Sequence, residues 1–201
     1  MIAIIDYDAG NIKSVEKALL HLGEQAEITR DKEKILNADK VILPGVGNFK
    51  DAMANIHKYE LAPVIREVVE RKTPFLGICV GLQLLFEKSD EAEGVPGLGI
   101  LEGEILRIPE GEGIKVPQIG WNNIEIDKTC PLFAGLPEKP YVYFVHSYYL
   151  KARENSIVKA TTEYGTLIHA AVQKENVFAC QFHPEKSSEV GLKILKNFIE
   201  I

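Results

Sequence analysis

Along roughly the first ninety positions, apolar residues recur in two alternating rhythms, short unbroken runs and helix-spaced patterns. "IAIID" reads as a strand, after which Ile12, Val15, Leu19 and Leu22 share one helical face that ends at Gly23, a plausible cap. "KVILPG" is a second apolar run, "NFKDAMANIHKY" and "LAPVIREVVERK" follow as helices, and Pro74 to Ile78 reads as another buried strand. Strands alternating with helices predict parallel pairing through crossover connections.

The second half keeps a different rhythm. "LEGEILRI", "WNNIEI", "YVYFVHSYYL", "SIVKATTE" and "VFACQF" are strand-like, with Gly and Pro clusters between them. A last amphipathic helix places Val190, Ile194, Leu195 and Phe198 on one face. "DEAEGVPGLG" is the most linker-like stretch, and it is short. These patterns predict one α/β domain spanning residues 1–201 and built on a mixed sheet.

Composition narrows the functional classes. With 201 residues, 46% of them hydrophobic, the chain can bury one substantial core. A net charge of −6 and no basic stripe argue against a nucleic-acid partner. No apolar run approaches the roughly 18 residues that cross a bilayer, and "MIAIIDYDAGN" lacks the flanks of a signal peptide, so a cytoplasmic location is expected, away from membranes. Three cysteines without a CxxC pair suit a reducing compartment and offer neither a disulfide framework nor a metal site.

The candidate chemistry begins in "PFLGICVGLQLLF", residues 74–86, where a strand-like run gives way to Leu82, Leu85 and Phe86 at helical spacing. Gly77 and Gly81 flank Cys79 in the pattern G-x-C-x-G, the thiol version of a nucleophile elbow. A strand bending sharply into a helix crowds its own backbone on both sides, and glycine removes the collision. The bend lifts the thiol clear and sets it at a helix N-terminus, where unpaired N–H groups favour the thiolate. The N–H of Val80 is then the first donor to an oxyanion. On residue type alone, Cys79 would be a small buried core residue. The paired glycines argue against that.

A thiolate that must expel a poor leaving group needs a proton donor. His183 stands in "ACQFHPEKS" at the end of the apolar run Val177 to Phe182, with Glu185 two residues on. Pro184 holds His183 extended, and in extended backbone residues two apart share a side, so the carboxylate can orient the imidazole. The order Cys, His, Glu then defines a triad. His21 and His57 fall in helical patterns and His169 in a polar connection, so all three read as solvated. His146, inside the aromatic run and without an acidic neighbour, is a reserve candidate, while Cys130 and Cys180 read as structural. "LPGVGNF", residues 43–49, lacks the third glycine of a dinucleotide loop and the Lys-Ser/Thr of a P-loop. Gly45 and Gly47 would let the peptide between them turn over, giving a second oxyanion donor that is unmade at rest; an ordinary tight turn is the alternative.

Taken together, "PGVG", "GICVGLQLLF", "GWN", "YFVHSYY" and "QFHPEKS" closely resemble the class I (triad) glutamine amidotransferases, from the first strand to the last helix. "PQIGWN", "HPEKS" and the short length are most similar to the branch serving histidine biosynthesis. The resemblance implies a three-layer mixed sheet with helices on both faces. It makes Cys79 the nucleophile, His183 the base and acid, Glu185 its orienting carboxylate, and Val46 and Val80 the oxyanion donors. Gly47, Gln83, Glu91, Ser147 and Tyr148 match glutamine-binding positions, and Asn11, Trp121 and Tyr143 match positions near a partner contact. That partner would be a (β/α)8-barrel cyclase making imidazole glycerol phosphate, paired as a heterodimer and fed with ammonia from glutamine; no cofactor or metal is implied. Gln118 departs from the branch, where many relatives carry His before the "GW" pair, and an amide cannot titrate. Two rivals stay open: a freestanding cysteine hydrolase acting on another amide, and a non-catalytic thiol sensor, which Gln83 and the HPE element disfavour.

Overall fold

The computed structural model describes residues 1–201. In chain order its elements are β1 (Ile2–Ile5), α1 (Ile12–His21), β2 (Ala26–Thr29), α2 (Lys32–Leu36), β3 (Lys40–Leu43), α3 (Phe49–Lys58), α4 (Leu61–Glu70), β4 (Phe75–Ile78) and α5 (Val80–Leu84). There follow β5 (Lys88–Ser89), β6 (Gly103–Arg107), β7 (Gln118–Asn123), β8 (Glu125–Ile126), β9 (Tyr141–His146), β10 (Tyr148–Ala152), β11 (Val158–Glu163), β12 (Leu167–Lys174), β13 (Val177–Cys180) and α6 (Ser188–Glu200).

Eight strands form the central sheet in the order β2-β1-β3-β4-β13-β12-β11-β8. The pairs from β2 to β13 are parallel and those beyond are antiparallel. β1, β4 and β13 are buried at every position, the reason their sequences read as unbroken apolar runs. The connection from β1 to β2 runs toward one edge and those from β2 to β3 and β3 to β4 run toward the other. Right-handed crossovers therefore place α1 on one face and α2, α3 and α4 on the opposite face, where α4 packs on both α2 and α3. The result is the three-layer mixed sheet expected. Two smaller sheets, β10-β6-β5 and β7-β9, flank the central one. No helix is long and apolar enough to cross a membrane.

Four local expectations need correction. β2 and α2 escape the apolar pattern because β2 is an edge strand with three half-buried positions and α2 has only five residues. β12 occupies what reads as a polar connection, so His169 is not solvated: it is half-buried, its Nδ1 accepts from the Ala152 N–H at 3.0 Å, and burial lowers its pKa. "YVYFVHSYYL" is two strands that part at Ser147 and join different sheets, and "WNNIEI" likewise divides between β7 and β8. Helix α5 closes at Leu84, so Leu85 and Phe86 lie beyond it.

All parallel strands share one carboxyl edge, and the turns after β3, β4 and β13 meet there. This edge is where open α/β sheets place their ligands.

Candidate functional site

The bend after β4 is as tight as the glycine pattern predicts. A Cβ on Gly77 would stand 2.9 Å from the Gly81 carbonyl oxygen, and one on Gly81 would run into the carbonyl of Leu43. Cys79 carries the strain, with φ at 54° and ψ at −109° in a residue that has a side chain. Its N–H is fastened to the Cys180 carbonyl at 2.8 Å, which ties the bend to the end of β13.

Next along β13 come Gln181 and His183, both buried. His183 Nδ1 lies 2.8 Å from Glu185 Oε1. The pair does not meet through extended backbone alone: His183 is extended, and a 3₁₀ turn over Pro184–Lys186 brings the carboxylate back. Glu185 Oε1 also accepts from Asn11 Nδ2 at 2.7 Å, while its buried Oε2 has no partner. Asn11, expected near a partner contact, thus holds the carboxylate that orients the imidazole. Burial opposes a charged imidazole, but hydrogen bonds and charge interactions with Cys79 and Glu185 outweigh it and push His183 up to about 10. Ser187 fixes the same segment: its hydroxyl donates to the His183 carbonyl at 2.6 Å and accepts from the Tyr143 N–H at 2.9 Å. The His183 N–H in turn donates to the Tyr143 carbonyl at 2.9 Å.

Over the sulfur lies a cavity of about 290 Å³ whose wall includes Cys79, Val80 and His183. Val46, Gly47, Gln83, Glu91, Ser147 and Tyr148, all singled out in the sequence, line it as well. Trp121 and Tyr143 do not. They pair across β7 and β9, their rings in edge contact with centroids 5.8 Å apart, on an outward face where Ile119, Trp121 and Tyr141 are 63, 51 and 57% exposed. The loop after β3 differs from the bend after β4. Gly45 is crowded by the Tyr7 hydroxyl and by Val80, whereas Gly47 has φ at +103° and open space around its α-carbon. The Val80 N–H donates to the Gly45 carbonyl at 3.3 Å. In this conformation the Gly45–Val46 peptide therefore offers its carbonyl, not its N–H, to the neighbour of the nucleophile.

Sequence reasoning missed four residues here. Lys186, Pro117 and Val145 line the cavity, and Gln181 touches the sulfur itself, its Nε2 3.6 Å from Cys79 Sγ. Gln181 was findable, since it stands two positions before His183 in a run that reads as extended, although the chain bends at Gln181 and Phe182. His146 also lines the cavity, but its ring is held at both ends, Nδ1 2.8 Å from the Tyr148 carbonyl and Nε2 2.7 Å from the Gln118 amide. Burial, aided by the charge of His183, pushes it down to about 4 against the pull of the Tyr148 carbonyl. His146 is thus neutral near pH 7 and locked. Cys130 and Cys180 are buried away from the cavity wall, and burial raises both thiols, Cys130 to about 11.

Known proteins resemble this chain in sequence and in fold. The family model described as glutamine amidotransferase class-I matches residues 3–201. The imidazole glycerol phosphate synthase subunit HisH of Caldanaerobacter subterraneus is 51% identical, over 100% of this chain and 98% of that protein. The subunit of the same name from Methanocaldococcus jannaschii is 49% identical over 100% of both chains, and that from Moorella thermoacetica 53% identical over 100% of this chain and 94% of its own. Among solved structures, a glutamine amidotransferase superposes with a TM-score of 0.78 at 22% identity, covering 100% of this chain and 98% of that one. PurLQS from Thermotoga maritima gives 0.75 at 20% identity, covering 99% and 97%; both structures speak for the fold alone. The chain belongs to the class-I glutamine amidotransferase family and, within it, to the HisH subunits of imidazole glycerol phosphate synthase.

Proposed function

We propose that this chain hydrolyses glutamine to glutamate and ammonia through a Cys79 thioester and passes the ammonia to a cyclase that makes imidazole glycerol phosphate in histidine biosynthesis. The observation that carries the reading is the strained Cys79 facing a cavity of about 290 Å³ together with a His183 already oriented by Glu185.

In the first half-reaction the Cys79 sulfur attacks the side-chain carboxamide carbon of glutamine, and the carbonyl electron pair moves onto oxygen. His183 gives its proton to the departing nitrogen, the C–N bond breaks, and a glutamyl thioester and ammonia remain. Water then attacks the thioester with His183 taking its proton, and the C–S pair returns to sulfur as glutamate leaves. Both hydrogens of the Gln83 amide are committed, one to the Tyr148 carbonyl at 3.1 Å and one to Gln181 Oε1 at 3.1 Å. Its oxygen is left to accept, which suits the ammonium end of an amino acid.

Ammonia released into water near neutral pH becomes ammonium, which has no lone pair to attack with, so the product needs a sheltered route. The apolar outward face of β7 and β9 is the landing surface for the (β/α)8-barrel cyclase of a heterodimer, and the backbone of β9 is hydrogen-bonded at Tyr143 to the His183 segment beside it. The loop after β3 is the switch. For the oxyanion to receive both Val80 and Val46 N–H groups, the Gly45–Val46 peptide must turn over, which carries Val46 from negative φ toward a region β-branched residues avoid. Partner and ligand supply what that turn costs.

Glutaminase turnover is measured for the chain alone, with the cyclase, and with the cyclase and its nucleotide ligand. Completing the oxyanion hole raises turnover by about a hundredfold or more, and equal rates overturn the switch. A glutamine-analogue electrophile is expected to modify Cys79 and to be blocked by glutamine. Failure of that capture overturns the glutaminase reading itself.

A further inference from the structure

Gln181 is fully buried and stands one residue beyond the end of β13. Register pairs Cys180 with Ile78, so the next residue on each strand, Gln181 and Cys79, are neighbours at the carboxyl edge. The orientation of its amide follows from what surrounds it. The Tyr148 carbonyl can only accept, so Gln83 turns its NH₂ toward that oxygen, 3.1 Å away. The same NH₂ faces the Gln181 amide at 3.1 Å, which must answer with its oxygen. The remaining group, the Gln181 NH₂, is therefore the one that points at Cys79 Sγ, 3.6 Å away.

We propose that Gln181 is a catalytic residue of this site, donating a hydrogen bond to the Cys79 sulfur whenever that sulfur is an anion. Thiolate sulfur is present twice in the cycle, before attack and again when the C–S electron pair returns to sulfur as the thioester breaks. A donor fixed in a buried position stabilises both states without having to reorganise. The inference rests on Cys79 being the nucleophile. Besides the His183 imidazole, the thiol faces the Val145 carbonyl at 3.8 Å, an acceptor that favours the neutral S–H. Gln181 opposes it. The titratable groups facing this sulfur are His183 with Glu185 behind it, the Tyr7 phenol, which donates to the Pro44 carbonyl at 2.6 Å, and buried Cys180. Glu91, His146 and Lys186 stand farther round the same cavity wall. Helix α5 adds no charged side chain.

The test is the rate of Cys79 alkylation by iodoacetamide against pH, located by mass spectrometry, in the full chain and in Gln181→Met, which keeps the volume and removes the donor. The midpoint is expected to rise by about one pH unit and kcat for glutamine to fall about tenfold, with KM nearly unchanged. An unmoved midpoint in the folded variant overturns the proposal even if kcat falls, because Gln181 then only packs. Should Gln181→Met not fold, the side-chain amide protons of Gln181 are followed by NMR in the unmutated chain. They are expected to shift with the midpoint of the Cys79 titration, and no shift overturns the proposal. If the unmutated chain cannot be captured at Cys79 by a glutamine-analogue electrophile, it is the glutaminase reading that fails, so the two failures are distinct.

Discussion

Two turns at the carboxyl edge are built from glycines and use them in opposite ways. After β4, Gly77 and Gly81 are demanded by space: a Cβ at either would meet backbone atoms that cannot yield. After β3, Gly47 is demanded by conformation alone, since nothing stands within 4 Å of an added Cβ while φ lies at +103°. The first turn is a fixture wedged between β3 and α5, holding a strained cysteine. The second is hinged, with room to swing. A nucleophile that must stay aimed and an oxyanion donor that must arrive on cue call for that division of labour.

The contrast can be broken most severely at Gly81. Gly81→Ala drives a methyl group into the Leu43 carbonyl and is expected to destabilise the fold by about 3 kcal/mol or more, read by thermal or urea unfolding. The fixed side extends to the locked His146 in the opposite wall. Its folded pKa of about 4 lies below the ordinary 6.5, so its contribution to stability is complete above pH 6.5 and is lost as pH falls through about 4. That loss amounts to roughly 3 kcal/mol. His146→Phe removes about one proton from the slope of stability against pH across this window, measured by urea titration at stepped pH. Absolute stability also falls in this variant, so the slope is the readout.

On the hinged side the effects are smaller and divide between activity and stability. Val46→Gly removes the β-branched penalty against turning the peptide over, and glutaminase turnover without the cyclase is expected to rise about tenfold with KM little changed. Loss of that turnover instead would mean that Val46 shapes the cavity and leaves the hinge untouched. Gly47→Ala meets open space and only conformational strain, so it should cost about 1–2 kcal/mol, well below Gly81→Ala. Equal costs at the two glycines would erase the distinction between wedge and hinge.

What the sequence discloses follows the same physics. β1, β4 and β13, and β3 after Lys40, are legible because strands buried on both faces must be apolar, and the bend is legible because G-x-C-x-G is a steric requirement written in residue types. β2, half-buried at an edge, and β12, whose residues alternate irregularly, carry no such signature. The His183–Glu185 pair is local and therefore readable. Asn11 on Glu185 and Gln181 on Cys79 join residues 174 and 102 positions apart, contacts that exist only once the sheet has brought its turns to one edge. Gln118 shows the limit from another side. Only the structure places its amide against His146 Nε2.

A small clasp joins β9 to the His183 segment. Ser187 and the His183 N–H between them occupy both backbone polar groups of Tyr143. The strand that shows Tyr143 to the outside and the segment that carries the imidazole therefore lie edge to edge, laced together through the backbone. Whatever docks on that strand does not need a long relay of side chains to be sensed at the imidazole, because a tilt of the strand is already a tilt of the segment beside it.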